Sequence, residues 1–224
     1  MQLERLDEVD LYTARAIKAV RGLILGGHYQ PGDRINEAEL AGSLAISRGP
    51  VREALQRLAS EGLVHRIAHR GSFIPEFGAT ETVELYETRE ALEVMASRLA
   101  AQRADADDRT ALREFLEATR SALQEDGESH YPADMDFHER ILALAGNRHL
   151  AQRCGEVHRL LYLTRSKSAY DPERARRAYD EHVAIVEAIE GGDPTSAEAA
   201  MRRHLQSGLS HVRKIYGLDD EAQL

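Results

Sequence analysis

The stretch Ser47 to Gly71, SRGPVREALQRLASEGLVHRIAHRG, constrains this chain more than any other. Val51, Ala54, Leu55 and Leu58 recur at helical spacing and demand a core on one side. That turns Arg48, Arg52 and Gln56, at steps of four, toward the other side. Ser47 is placed to cap this helix through its hydroxyl, Pro50 falls in the first turn where a missing N–H costs nothing, and Gly62 supplies the stop. The β-prone runs Leu63 to Ile67 and Ser72 to Ile74 flank AHRG and predict a short two-stranded wing with His69 and Arg70 at its tip. From Ser47 to Gly71 stand five arginines against two glutamates, on a chain whose formal net charge is -9. A local positive face on an acidic chain suits phosphate contact, and arginine also reads guanine edges bidentately. A merely solvated helix face is the plainer alternative.

The preceding residues complete a module around this helix. Residues 10–26 predict a supporting helix with Ala16, Ile17, Val20, Leu23 and Ile24 on one side, ended by Gly26 and Gly27. Asn36 with Glu39 three residues on forms a capping-box pattern, opening a second helix through Leu40, Ala41 and Leu44. Helix, turn, helix and wing therefore follow one another as in a winged helix-turn-helix module. Residues 1–75 hold ten Lys/Arg and nine Asp/Glu, whereas residues 76–224 hold nineteen against twenty-nine. The acidic part would be repelled by DNA, so it belongs away from the duplex.

With 224 residues and 42% hydrophobic content the chain can pack one large or two modest cores. It has no apolar run of membrane-spanning length, and MQLERLDEVD lacks the basic and apolar regions of a signal peptide. The expectation is a cytoplasmic protein without a membrane partner. Cys154 is the single cysteine, so no internal disulfide forms, and with His158 four residues on it reads as a buried or incidental thiol beside a helix neighbour.

Beyond Pro75 no strand-like run recurs. Helical periods cover about 80–103, 107–125, 132–145, 147–166, 172–190 and 194–216, separated by turn formers at Asp105 to Asp108, Gly127 to Pro132, Gly146-Asn147, Asp171-Pro172 and Gly191 to Pro194. The fold class is thus mostly α: an N-terminal winged helix-turn-helix followed by an all-α antiparallel helical bundle. The boundaries are 1–75 for the winged helix-turn-helix domain, 76–80 for a linker, 81–216 for an all-helical domain, and 217–224 for a tail.

Ten histidines invite a search for metal ligands on inward faces. In ADMDFHERILALAG, Asp134 and His138 stand four apart in line with Ile141 and Ala145. His182 borders the Ile185, Val186 and Ile189 stripe, and His204 lies beside Leu205 between Met201 and Gly208. One carboxylate and three imidazoles from three helices suit one divalent ion per chain, zinc first, with nickel or manganese as alternatives. Taken singly, each His reads better as a hydrogen-bonded core residue; jointly, an Asp and a His on one apolar face call for a counter-charge. His28, His130, His149, His158 and His211 lack such context and read as surface or incidental. Arg89 falls in line with Tyr86 and Glu93, so a salt bridge to Glu93 is its plainest reading.

The run PGDRINEAELAGSLAISRGPVREALQRLASEGLV, closed by HRGSFI, is similar to the N-terminal domain of the GntR family of bacterial transcription regulators. The resemblance implies that Ser47, Arg48, Gly49, Pro50 and Arg52 line the DNA face and that His69, Arg70 and Gly71 reach the minor groove. Gly49 departs from the Thr, Ser or Ala usual there. The later helices resemble the effector domain of the FadR-like branch, in its shorter, six-helix VanR-like form with an FCD-type metal site. That likeness implies a metal held by Asp134, His138, His182 and His204, and an effector acid met by Arg89.

The reading that follows is a metal-containing, ligand-responsive regulator, a homodimer on a palindromic operator, with DNA affinity modulated by a small organic acid. No enzyme activity is needed. Two rivals stand beside it. One is a metal-dependent hydrolase or lyase, for which an evident general base is missing: there is no HExxH, and Glu139 and Glu181 lack an inward phase. The other is a constitutive DNA-binding protein with a structural metal.

Overall fold

The computed structural model describes residues 6–125, 133–164 and 171–218. By contacts the chain divides into two compact units, Met1–Gly78 with Arg159–Lys167, and Ala79–His158 with Ser168–Leu224.

The first unit contains α1 (Leu6–Leu25), β1 (Arg34–Ile35), α2 (Glu37–Ser43), α3 (Arg48–Ser60), β2 (His65–Ile67) and β3 (Gly71–Phe73). Its core gathers Val20 and Ile24 of α1, Leu40 of α2, Val51, Leu55 and Leu58 of α3, and Ile35, Leu63 and Ile74 around the sheet. The apolar stripe of α3 is fully inside, as its spacing requires. Asn36 starts α2, its side-chain oxygen accepting from the amides of Ala38 and Glu39 at 3.1 and 3.3 Å. Gly62, at φ +77°, ends α3 in a left-handed turn that bonds Leu63 N–H to Leu58 C=O and Gly62 N–H to Ala59 C=O.

Two expectations change here. Ser47 occupies the N-cap position of α3 in extended conformation, but its hydroxyl makes no capping bond. The sheet has three strands, in the order β1-β3-β2 and antiparallel throughout, because Arg34 and Ile35 pair with Phe73 and Ser72. A two-residue strand is too short for alternation to reveal it.

The second unit contains α4 (Ala79–Arg103), α5 (Ala106–Glu125), α6 (Ala133–Leu144), α7 (Arg148–Thr164) as far as His158, α8 (Pro172–Glu190) and α9 (Pro194–Ile215), and all six helices lie within a few residues of the predicted spans. Asp171 and Asp193 cap α8 and α9, each accepting two first-turn amides ahead of a proline inside the helix start. The core packs Ala96, Ala100 and Ala101 of α4 against Phe137 and Ile141 of α6, Ile185 and Ile189 of α8, and Met201 and Leu205 of α9. The buried face of α4 is not all apolar: Thr82, Arg89, Glu93 and Ser97 lie on it as well. No helix among the described residues is long and apolar enough to cross a membrane.

Candidate metal centre and nucleic-acid interface

Three helices of the bundle each deliver one imidazole to a common point. His138 comes from α6, His182 from α8 and His204 from α9, and all three are at most 3% exposed. The Nε2 atom of His204 lies 3.3 Å from that of His182 and 3.2 Å from that of His138. His182 is held flat by stacking on Phe137, ring centroids 3.8 Å apart.

The outer nitrogens decide what the inner ones are. His138 Nδ1 donates to Glu93 Oε2 from α4, and His204 Nδ1 donates to Glu181 Oε2 at 2.8 Å. A carboxylate only accepts, so both Nδ1 atoms carry a proton, and in the neutral imidazoles both Nε2 atoms present lone pairs. Two facing lone pairs at 3.2 Å cannot bond each other. A cation between them removes the repulsion, and carboxylate-bound imidazoles turned on one point are the usual setting of a histidine-ligated metal. The donor set therefore fits a divalent ion of zinc type. Asp134 falls in the first turn of α6, but its side chain lies outside the described residues, as does His130.

Glu93 is the centre of a second, connected cluster. Its Oε1 accepts from Arg89 Nε at 2.6 Å and from His158 Nε2 at 2.5 Å, with Cys154 Sγ 3.6 Å away. Burial would push the Glu93 carboxyl up, but the Arg89 guanidinium, with His138 and His158, holds it well below the ordinary carboxylate range. Burial pushes the Cys154 thiol strongly up and the Glu93 carboxylate adds to this, so the sulfur is a protonated, unreactive group. Burial also lowers His158 against the opposing pull of Glu93, which leaves it a neutral donor.

Several readings are corrected by this geometry. His158 is buried and bonded to Glu93, not incidental. Glu181 points inward onto His204 and Arg174, despite its unpromising helical phase. Arg89 forms the i,i+4 pair with Glu93 that its spacing suggests, and at 4% exposed it is buried. Its guanidinium also lies 5.9 Å from the Tyr86 ring centroid. The missed signal was the sevenfold spacing that puts Arg174 and Glu181 on one face of α8.

In the first unit Ser47, Arg48, Gly49, Arg52 and Gln56 are exposed at the start and along the outer side of α3. Arg52 Nε pairs with Glu37 Oε2 of α2 at 2.8 Å while its side chain stays 61% exposed. Pro50 is buried, so it shapes the helix start and does not face outward. At the wing tip His69, at φ +60°, and Arg70 are exposed, and Arg70 lies 5.7 Å over the Phe73 ring. Gly71 carries φ +108°, a conformation that side-chain-bearing residues rarely adopt.

A helix-turn-helix with an arginine-bearing helix and wing, joined to a separate helical bundle, defines the class of a DNA-binding regulator with a second functional domain. Residues 12–74 match the bacterial regulatory proteins of the gntR family, and residues 84–207 match the FCD domain. The chain is 33% identical to the Nta operon transcriptional regulator of Aminobacter aminovorans over 194 residues, 84% of this chain and 88% of that one. It is 29% identical to the HTH-type transcriptional regulator YdhC of Bacillus subtilis, over 94% of this chain and 95% of the other. Among solved structures, Escherichia coli McbR/YncC shares the fold with a TM-score of 0.77 at 24% identity, covering 92% and 98% of the two chains. The protein belongs to the GntR family and carries an FCD domain. It is a DNA-binding transcription regulator, and its relatives are regulators, not enzymes.

Proposed function

We propose that the protein is a cytoplasmic homodimer that binds a palindromic operator and releases or tightens on it in response to a small carboxylate. One recognition helix reads only a few base pairs, so two copies related by a two-fold axis supply the length of a specific site. Arg48, Arg52 and Gln56, with Ser47 and Gly49 at the helix start and His69, Arg70 and Gly71 on the wing, are the DNA-facing set.

In the bundle His138, His182 and His204, with Asp134 as fourth ligand, would hold one divalent ion. Bound there, it would supply positive charge and open positions to an acid's oxygens. The observation that carries this reading is the inward convergence of three Nε2 atoms, with two of the rings fixed by carboxylates at Nδ1. Arg89, beside Tyr86 and fixed by Glu93, would meet the other end of the acid through its planar fork. Ligand binding would then bias the packing of α4 against α6, α8 and α9, the helices that carry these groups.

The test is thermodynamic linkage. Calorimetric titration of metal-loaded protein with small carboxylic acids, with and without operator DNA, should give two different affinities for the effector. The same factor, commonly ~5–150-fold, must separate operator affinities with and without the acid. An acid whose affinity is indifferent to operator is not the effector. If every acid that binds is indifferent, the domain is a structural element and the protein binds DNA constitutively.

A further inference from the structure

Arg174 stands in the first turn of α8, where Asp171 accepts its backbone N–H. Its Nη2 pairs with Glu181 Oε2 at 3.0 Å, and its side chain is 15% exposed. Its Nη1 is buried without a hydrogen-bond partner among the described residues. A buried guanidinium N–H left without an acceptor is costly, and an anion is the natural acceptor.

The surroundings place this group beside the histidine cluster. Glu181, which holds Arg174, is the same carboxylate that fixes His204 Nδ1 at 2.8 Å. Gly208, one turn beyond His204 on α9, is where the two sides meet. A Cβ there would stand 3.2 Å from Tyr86 Cε1 and 3.8 Å from Arg174 Nη2. Tyr86 in turn lies against Arg89. A larger residue at Gly208 would therefore press on Tyr86 and Arg174, while Glu181 links Arg174 to His204. Arg177 and Lys214 add positive charge near His211, whose Nδ1 lies 3.7 Å from Asp171 Oδ2.

We infer that Arg174 is a second anion-binding group of the effector site, and that the effector is a dicarboxylate rather than a monocarboxylate. This rests on the carboxylate-responsive reading above. One carboxylate occupies the position at the histidine cluster and Arg89; the second takes the unfilled donor of Arg174. Specificity arises because a monoacid of equal length leaves that buried N–H unpaired.

The experiment is calorimetric titration of zinc-loaded full-length protein with malonate, succinate and glutarate, each against its monoacid of equal chain length, propionate, butyrate and valerate. At least one diacid should bind about tenfold to a hundredfold more tightly than its monoacid partner, the increment of a charge-assisted pair. In Arg174→Gln the ratio should fall to about one, Arg174→Lys should retain part of it, and Arg176→Gln, which removes an exposed neighbouring charge, should keep it. Taking the ratio within each variant cancels any change in metal loading caused through Glu181. Monoacids that bind as well as diacids would overturn the inference and leave the carboxylate reading intact. A preference that survives in Arg174→Gln, or that is lost equally in Arg176→Gln, would also overturn it. If neither class of acid binds the zinc-loaded protein, both the inference and the reading beneath it fail.

Discussion

Glu93 of α4 accepts the Nδ1 proton of His138 of α6, and through its other oxygen it holds Arg89 and His158. One buried carboxylate therefore fixes the orientation of a metal-type ligand and of the arginine proposed to meet the effector. Replacing Glu93 by Gln keeps the shape but removes the charge that both cations and imidazoles lean on. Metal affinity should fall about 10–100-fold, the usual effect of losing a carboxylate behind a ligating histidine. Leaving Arg89 buried without its counter-charge should cost about 3–5 kcal/mol of stability. Competition titration with a chromophoric chelator and thermal melting measure the two effects separately.

The same carboxylate sets an acid limit. Burial opposes its ionisation, but Arg89 with His138 and His158 wins, so its folded value lies well below the ordinary one. A depressed carboxylate stabilises the fold above its unfolded value and loses that contribution as pH falls through the folded one. Metal-free wild type should therefore lose stability on acidification below the ordinary carboxylate range more steeply than metal-free Glu93→Gln. Equal slopes in acid-dependent denaturant titrations would show that Glu93 is not ionised in the fold.

Arg52→Ala should abolish specific operator binding while the protein stays folded. The side chain is exposed and its ion pair with Glu37 is a surface one, so the stability loss should stay within ~1 kcal/mol. A bidentate base contact is worth ~1–3 kcal/mol, and a dimer loses two. Gel-shift titration at fixed salt decides the matter, and unchanged affinity would remove Arg52 from the interface.

Asn36→Ala removes the acceptor of two amides at the start of α2 and should cost about 0.5–2 kcal/mol, read as a lower denaturant midpoint. Because α2 packs against α3, operator affinity should weaken with it.

The helices, their order and the inward phase of His138, His182 and His204 were legible because 3.6-residue periodicity and turn formers are local signals. The exposed face of α3 that carries Arg48, Arg52 and Gln56 was legible for the same reason. What periodicity could not supply was the partner of each buried polar group. That Glu93 would serve His138 and His158, and Glu181 would serve His204, depends on which helices pack together, and no spacing within one helix encodes that. Ser47 was read as an active cap from its residue type, yet capping depends on a rotamer that residue type does not fix. Pro50 was counted on the DNA face from resemblance, whereas its place on α3 turns it into the core. The turn residues before Ile35 announce a short extended segment, but two residues show no alternation, so its pairing with the wing as β1 was not legible.

Three converging imidazoles that form a metal centre keep their ion when free metal is removed. Elemental analysis of purified wild type, after incubation with zinc, nickel or manganese and removal of free ion, should find about one divalent ion per chain. His138→Ala and His204→Ala should each lose most of that metal, and with it the rise in melting temperature that metal gives the wild type. Wild-type protein that stays metal-free, or His204→Ala protein that binds as much metal as wild type, would contradict a metal centre at these imidazoles.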